Sequence, residues 1–114
     1  MITVIFEVQP HPDQASRYFE LAAQLRAELE TIDGFISVER FGSLTTPGKF
    51  LSLSVWRDEA AVAAWRNRAL HRASQAEGRV SVFADYRIRV AQVLRDYSLH
   101  ERAQAPADSR VLAP

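Results

Sequence analysis

The 114-residue chain has no cysteine. Disulfides, thiolate nucleophiles and cysteine-based metal sites are therefore excluded, and a reducing compartment suits the composition. Charge of either sign is not in excess: 14 Lys+Arg face 14 Asp+Glu. The basic footprint of a nucleic-acid binder is missing. No apolar run approaches the ~20 residues that cross a bilayer. The first ten residues, MITVIFEVQP, lack the positive leader and cleavage site of a secretory signal. These absences lead us to expect a cytoplasmic protein with no nucleic-acid partner and no membrane association. There is no glycine-rich phosphate loop, no Asp/Glu/His cluster at metal-ligand spacing and no visible Ser-His-Asp arrangement. What is present is apolar content, 47% of the residues, enough for the core of one domain.

The element order is readable from periodicity. Ile2 to Gln9 is β-branched and apolar and is stopped by Pro10 and Pro12, so it reads as a strand. Asp13 is placed to cap a helix whose buried stripe is Ala15, Tyr18, Ala22, Leu25, Leu29 and Ile32. Gly34 is placed to end it in a left-handed conformation. Phe35 to Phe41 alternates imperfectly as a second strand. The turn Thr46-Pro47-Gly48 then returns the chain antiparallel through Phe50 to Trp56. Asp58 can cap a second helix with Val62, Trp65, Ala69, Ala73 and Ala76 as its stripe, and Gly78 is a candidate terminator. Val82 to Leu94 alternates as a long fourth strand. Residues 98–114 are polar and aperiodic, a tail that is loose or docked on a partner.

The order β-α-β-β-α-β predicts an α+β, ferredoxin-like sandwich: a four-stranded antiparallel sheet with two helices on one face. Residues 1–97 form this domain and 98–114 the tail. The uncovered sheet face carries part of each strand, including either the Leu51/Leu53/Val55 row or the Phe50/Trp56 row. Apolar faces of that size are rarely left wet, so a homodimer through the open face is expected.

Chemistry-bearing residues concentrate in VWRDEAAVAAWRNRALHRASQAEGR, residues 55–79. Trp56 ends a strand, and Trp65 lies on the helix that Asp58 caps. Asn67, Arg68, His71, Arg72 and Gln75 follow along the next turns. Asn67 and Arg68 interrupt good helix-forming sequence, and a break there would swing His71 toward the sheet.

The element order, Asp33-Gly34-Phe35 and Trp56-Arg57-Asp58 resemble the antibiotic biosynthesis monooxygenase family. So do Trp65, the run His71-xxx-Gln75-xx-Gly78-Arg79 and the closing Tyr86-Arg87-Ile88-Arg89-Val90. The resemblance covers residues 1–97. It implies a small dimeric α+β barrel protein with a pocket between sheet and helices. It further implies one of several activities: oxidation of polyketide-type aromatics by O2 without metal or flavin, quinol oxidation, or haem degradation. The haem-degrading pattern places Asn on the first strand, Trp near the start of the second helix, and a haem-ligating His ten residues after that Trp. Here Trp65 matches, but the other two positions are Glu7 and Gln75. Glutamine is a poor ligand for haem iron. Haem is therefore disfavoured, and no cofactor is expected.

Each residue carries two readings. His71 either faces a pocket, as the proton acceptor for a phenolic substrate, or lies on the solvent side bonded to Gln75 or water. Trp65 is a pocket wall or part of the core. Trp56 packs against a partner or reaches the pocket, and Tyr86 brings its hydroxyl to the pocket or is core. The arginines of the second helix attract an anionic substrate or form a solvated face. Glu7 is a buried carboxylate under the helices, or it faces outward to pair with Arg87 or Arg89. The candidate site is thus His71 as the catalytic group, with Trp65, Phe6, Tyr86, Trp56, Asn67, Gln75 and Arg72 around a small hydrophobic substrate. Two functions follow: a cofactor-independent monooxygenase acting on an aromatic or quinol-like molecule, or a non-catalytic dimeric module that binds a small hydrophobic ligand or haem.

Overall fold

The computed structural model describes residues 1–111; the side chains of Ala69, Leu70, Arg110 and Val111 are not described. Strand β1 spans Ile2–Pro10, helix α1 Ala15–Leu29, β2 Phe35–Gly42 and β3 Phe50–Trp56. Helices α2, Glu59–Arg66, and α3, Ala69–Glu77, precede β4, Phe83–Gln92, and a short α4, Ala107–Val111, closes the described chain. The sheet order is β2-β3-β1-β4, with every neighbouring pair antiparallel. This is the ferredoxin-like arrangement that the element order predicts.

Register decides which side chains meet the helices. Val4 pairs with Ser54, Phe6 with Ser52 and Val8 with Phe50. Arg40 lies across from Ser52 on β2, and Ile88 across from Phe6 on β4. These rows face α1 and α3. The alternate rows, with Ile5, Glu7, Leu51, Leu53 and Val55, share the opposite face. Glu7 belongs to that outer face, where it pairs with Arg89 at 3.4 Å and Lys49 at 3.9 Å.

The core forms two clusters. One joins Leu29, Ile32, Trp56, Ala61 and Val62, with Trp65 packed on it. The other joins Val8, Tyr18, Leu21 and Val82, with Phe6, Phe50 and Phe83 packed on it. Arg17 of α1 grips Glu77 of α3 through two bonds of 2.6 and 2.8 Å, which ties the helices together over the sheet. The guanidinium holds the Glu77 carboxyl below the usual carboxylate range.

Several local expectations are corrected. Asp13 does not cap α1. Pro12 starts a tight turn over residues 12–14, and α1 then begins at Ala15 without a side-chain cap. Helix α1 ends at Leu29, so Gly34 is not its terminator. Gly34 has φ +91°, and its carbonyl accepts the Arg57 N–H at 2.7 Å where the chain turns into β2. Beyond the break, Ala73 and Ala76 are exposed; α3 instead turns Ser74 inward, and Gly78 just past its end is buried. Nothing is described of the side chain of Ala69.

Gly78 does end α3, as its C-cap, without the left-handed conformation. Its φ is −56°, and it continues into a wide helical turn over Gly78–Val82. It is needed for close approach: a Cβ there would lie 2.3 Å from Phe83 Cε2. Gly78→Ala should therefore displace the Phe83 ring and destabilise the domain by about 1–3 kcal/mol, the usual cost of overpacking. Urea unfolding checks this, and an unchanged midpoint would contradict it.

Candidate functional site

The local chain explains how the site is built. Asp58 caps α2 by accepting the Ala61 N–H at 2.9 Å. Helix α2 stops where Arg68 is extended, φ −65° and ψ 137°. Asn67 stabilises this stop by donating its side-chain N–H to the Ala63 carbonyl at 2.8 Å, while its own side-chain oxygen accepts from Arg72. The chain re-enters a helix at Ala69 on a new axis. The break thus stands where Asn67 and Arg68 interrupt the pattern, and it turns His71 inward.

His71 meets Trp65 with ring centroids 4.6 Å apart. Trp65 in turn stacks on Trp56 at 6.4 Å, and Trp56 is only 1% exposed. A cavity of about 140 Å3 lies between the sheet and the helices. Trp65, His71, Gln75 and Phe6 are in its wall, with Tyr18 and Arg40. The sequence-derived candidates therefore divide. Phe6, Trp65, His71 and Gln75 come together. Trp56 lies behind Trp65 as its support. Tyr86 packs against Phe6 and Phe83 at 5.9 and 5.8 Å without joining the wall. Asn67 and Arg72 are exposed and hold the helix break.

Electrostatics sharpen the picture. Burial, and then the charges of Arg72 and Arg66, push the His71 imidazole down to about 4. At neutral pH the ring is uncharged. Its Nδ1 is buried and has no hydrogen-bond partner, so it is available to a ligand. In the same wall, Tyr18 is 5% exposed, and its hydroxyl makes no well-formed hydrogen bond. Burial pushes its phenol up, while the nearby Arg40 guanidinium acts in the opposite sense.

Tyr18 and Arg40 were outside the sequence-derived site. Tyr18 reads as one member of an apolar stripe. Arg40 carried a visible signal, a charge two residues after Val38 in the inward row of β2. Its meaning depends on which face of the sheet is covered.

The class is a ferredoxin-like α+β sandwich with an apolar, aromatic-walled cavity between sheet and helices. The sequence profile described as antibiotic biosynthesis monooxygenase matches residues 1–77, more than half of the chain, and the chain belongs to that family. The jasmonate monooxygenase ABM of Pyricularia oryzae is 50% identical over 93 residues, which are 82% of this chain and 43% of that protein. The chain thus spans less than half the length of that relative. Among solved structures, a protein of Mycobacterium tuberculosis superposes with TM-score 0.76 at 20% identity, covering 85% of this chain and 98% of that one. A structure of an antibiotic biosynthesis monooxygenase does so with TM-score 0.71 at 16% identity, covering 82% and 99%. These two similarities concern the fold.

The residues do not fit haem in the family's haem-degrading manner. Gln75 presents an amide at the ligand position, and Glu7 points through the sheet to the opposite face. At about 140 Å3 the cavity has room for a small molecule and not for a porphyrin. Among the described residues, no group of three or more His, Cys, Asp or Glu could hold a metal ion. No described helix is long and apolar enough to cross a membrane.

Proposed function

We propose that the chain is a monooxygenase that uses O2 on a small, largely apolar aromatic or quinol-like substrate held in this cavity. Trp65 and Phe6 form the walls, Gln75 contributes an amide, and His71 receives a proton. The observation that carries this reading is the unpartnered His71 Nδ1 in the cavity beside Trp65. Family membership and the relative named as a monooxygenase support the reaction class. Chemically, the substrate loses a proton to His71, and its anion gives electrons to O2. A hydroperoxide forms and loses water, leaving one oxygen as a new carbonyl. Both electron pairs come from the substrate, so no outside reductant enters. Purified protein treated with a chelator should consume O2 in a substrate-saturable way with a phenol or quinol of this kind. If such compounds bind the cavity without O2 uptake, the protein is the non-catalytic binding module instead.

The functional unit in this reading is a homodimer. Ile5, Leu51, Leu53 and Val55 are partly buried on the uncovered sheet face. On the helix side, Tyr86, Ile88 and Val90 of the edge strand β4 are 41, 42 and 51% exposed, a second apolar strip that a partner can cover. Light scattering should give twice the chain mass, and a monomer at micromolar concentration would contradict the dimer.

A further inference from the structure

The polar groups at the Tyr18 end of the cavity have no role in receiving a proton at His71. Tyr18 is 5% exposed. Its hydroxyl and the Nε of Arg40 are buried and make no well-formed hydrogen bond; the Arg40 guanidinium lies close enough to act on the Tyr18 phenol, so the two form one polar corner, and both residues are in the cavity wall. Leaving such groups unpaired in an apolar surround is costly, and the cost is recovered when a ligand supplies the partner. Tyr18 offers one O–H donor and Arg40 a planar fork of N–H donors, the set that matches a carboxylate. The rest of the wall is largely apolar, with Val4, Leu21 and Leu25 beside Phe6. Tyr18 belongs to one core cluster, while Trp65, and His71 against it, belongs to the other. The cavity lies between them.

We propose that the substrate is an apolar molecule bearing a carboxylate, and that Arg40 and Tyr18 bind this carboxylate at one end of the cavity. The apolar body then extends toward Trp65 and His71, which places a carbon away from the acid group at the proton acceptor. The proposal rests on the cavity being the substrate site. It makes Arg40 and Tyr18 specificity-determining residues and leaves the chemical step to the other end.

Calorimetric titration at pH 7 with octanoate and with methyl octanoate, which lacks the charge, tests this. Octanoate should bind at least about tenfold more tightly, as charge-assisted pairing allows. Arg40→Met and, to a lesser degree, Tyr18→Phe should bring the ratio toward one, chiefly by weakening octanoate. Equal affinities in the unaltered protein would overturn the carboxylate assignment while leaving the cavity as the ligand site. A preference that survives in folded Arg40→Met would overturn it as well. Failure of both probes to bind would overturn the assignment together with the cavity reading on which it rests.

Discussion

His71→Ala is expected to lower turnover by about 10²–10⁴-fold, the range associated with a positioned proton acceptor, without unfolding the protein. The ring hydrogen-bonds to nothing through Nδ1, so its removal breaks no described network at that atom. It lies against Trp65, so some packing is lost and a modest rise in KM accompanies the fall in kcat. The pH dependence separates this role from a structural one. The imidazole titrates near 6.5 in an unfolded chain and at about 4 in the folded protein. Activity that needs the neutral ring should therefore stay level through pH 6.5 and fall on an acid limb near pH 4. Stability carries the same sign. Between those values the unfolded chain binds the extra proton, so the His71 contribution to stability falls as pH falls through that window and rises as pH rises through it. An acid limb at 6.5, or a variant with unchanged turnover, would remove His71 from the chemistry.

Trp56→Ala is expected to have the largest effect on stability, about 3–5 kcal/mol, as for other large buried aromatics. Trp56 is 1% exposed and sits edge-on to Phe35 at 5.4 Å. Its indole N–H donates to Ser54 Oγ at 2.9 Å. Deleting the ring opens a void behind Trp65 and leaves that hydroxyl without its donor. Such a loss is a large fraction of the ~5–15 kcal/mol that holds a domain of this size. Trp56→Phe should retain part of the stability because it refills most of the space. Chemical denaturation checks both variants. A loss below about 1 kcal/mol for the alanine variant would show that the two core clusters do not depend on this ring.

Much of the architecture is local and therefore legible in the chain. The Asp58 cap, the strand ending at Trp56 and the helix break at Asn67–Arg68 each depend on residues within one or two turns. The break is the informative case, because Asn67 competes for the Ala63 carbonyl and so reorients His71. Other features needed the whole fold. Gly78 reads as a helix stop and does cap α3, but its need to be glycine comes from the Phe83 ring, which arrives from the next strand. Alternation places Glu7 on one face or the other, and only the helix packing decides that it faces out to Arg89 and Lys49. Arg40 comes from β2 and Tyr18 from α1: strand register across Ser52 and Phe6 turns Arg40 to the face that α1 covers, and helix packing brings Tyr18 to the same cavity. Trp56 was placed near the ligand by its type and position. It lies one layer behind, because Trp65 occupies the space between it and the cavity.

The most direct measurement of the oxygenation chemistry is a reaction under 18O2 with chelator-treated protein and a substrate identified by O2 uptake. One labelled oxygen in the product for each O2 consumed, and its loss in His71→Ala, is the expected result. Product oxygen drawn from water, or equal labelling without His71, would contradict a monooxygenase acting through this cavity.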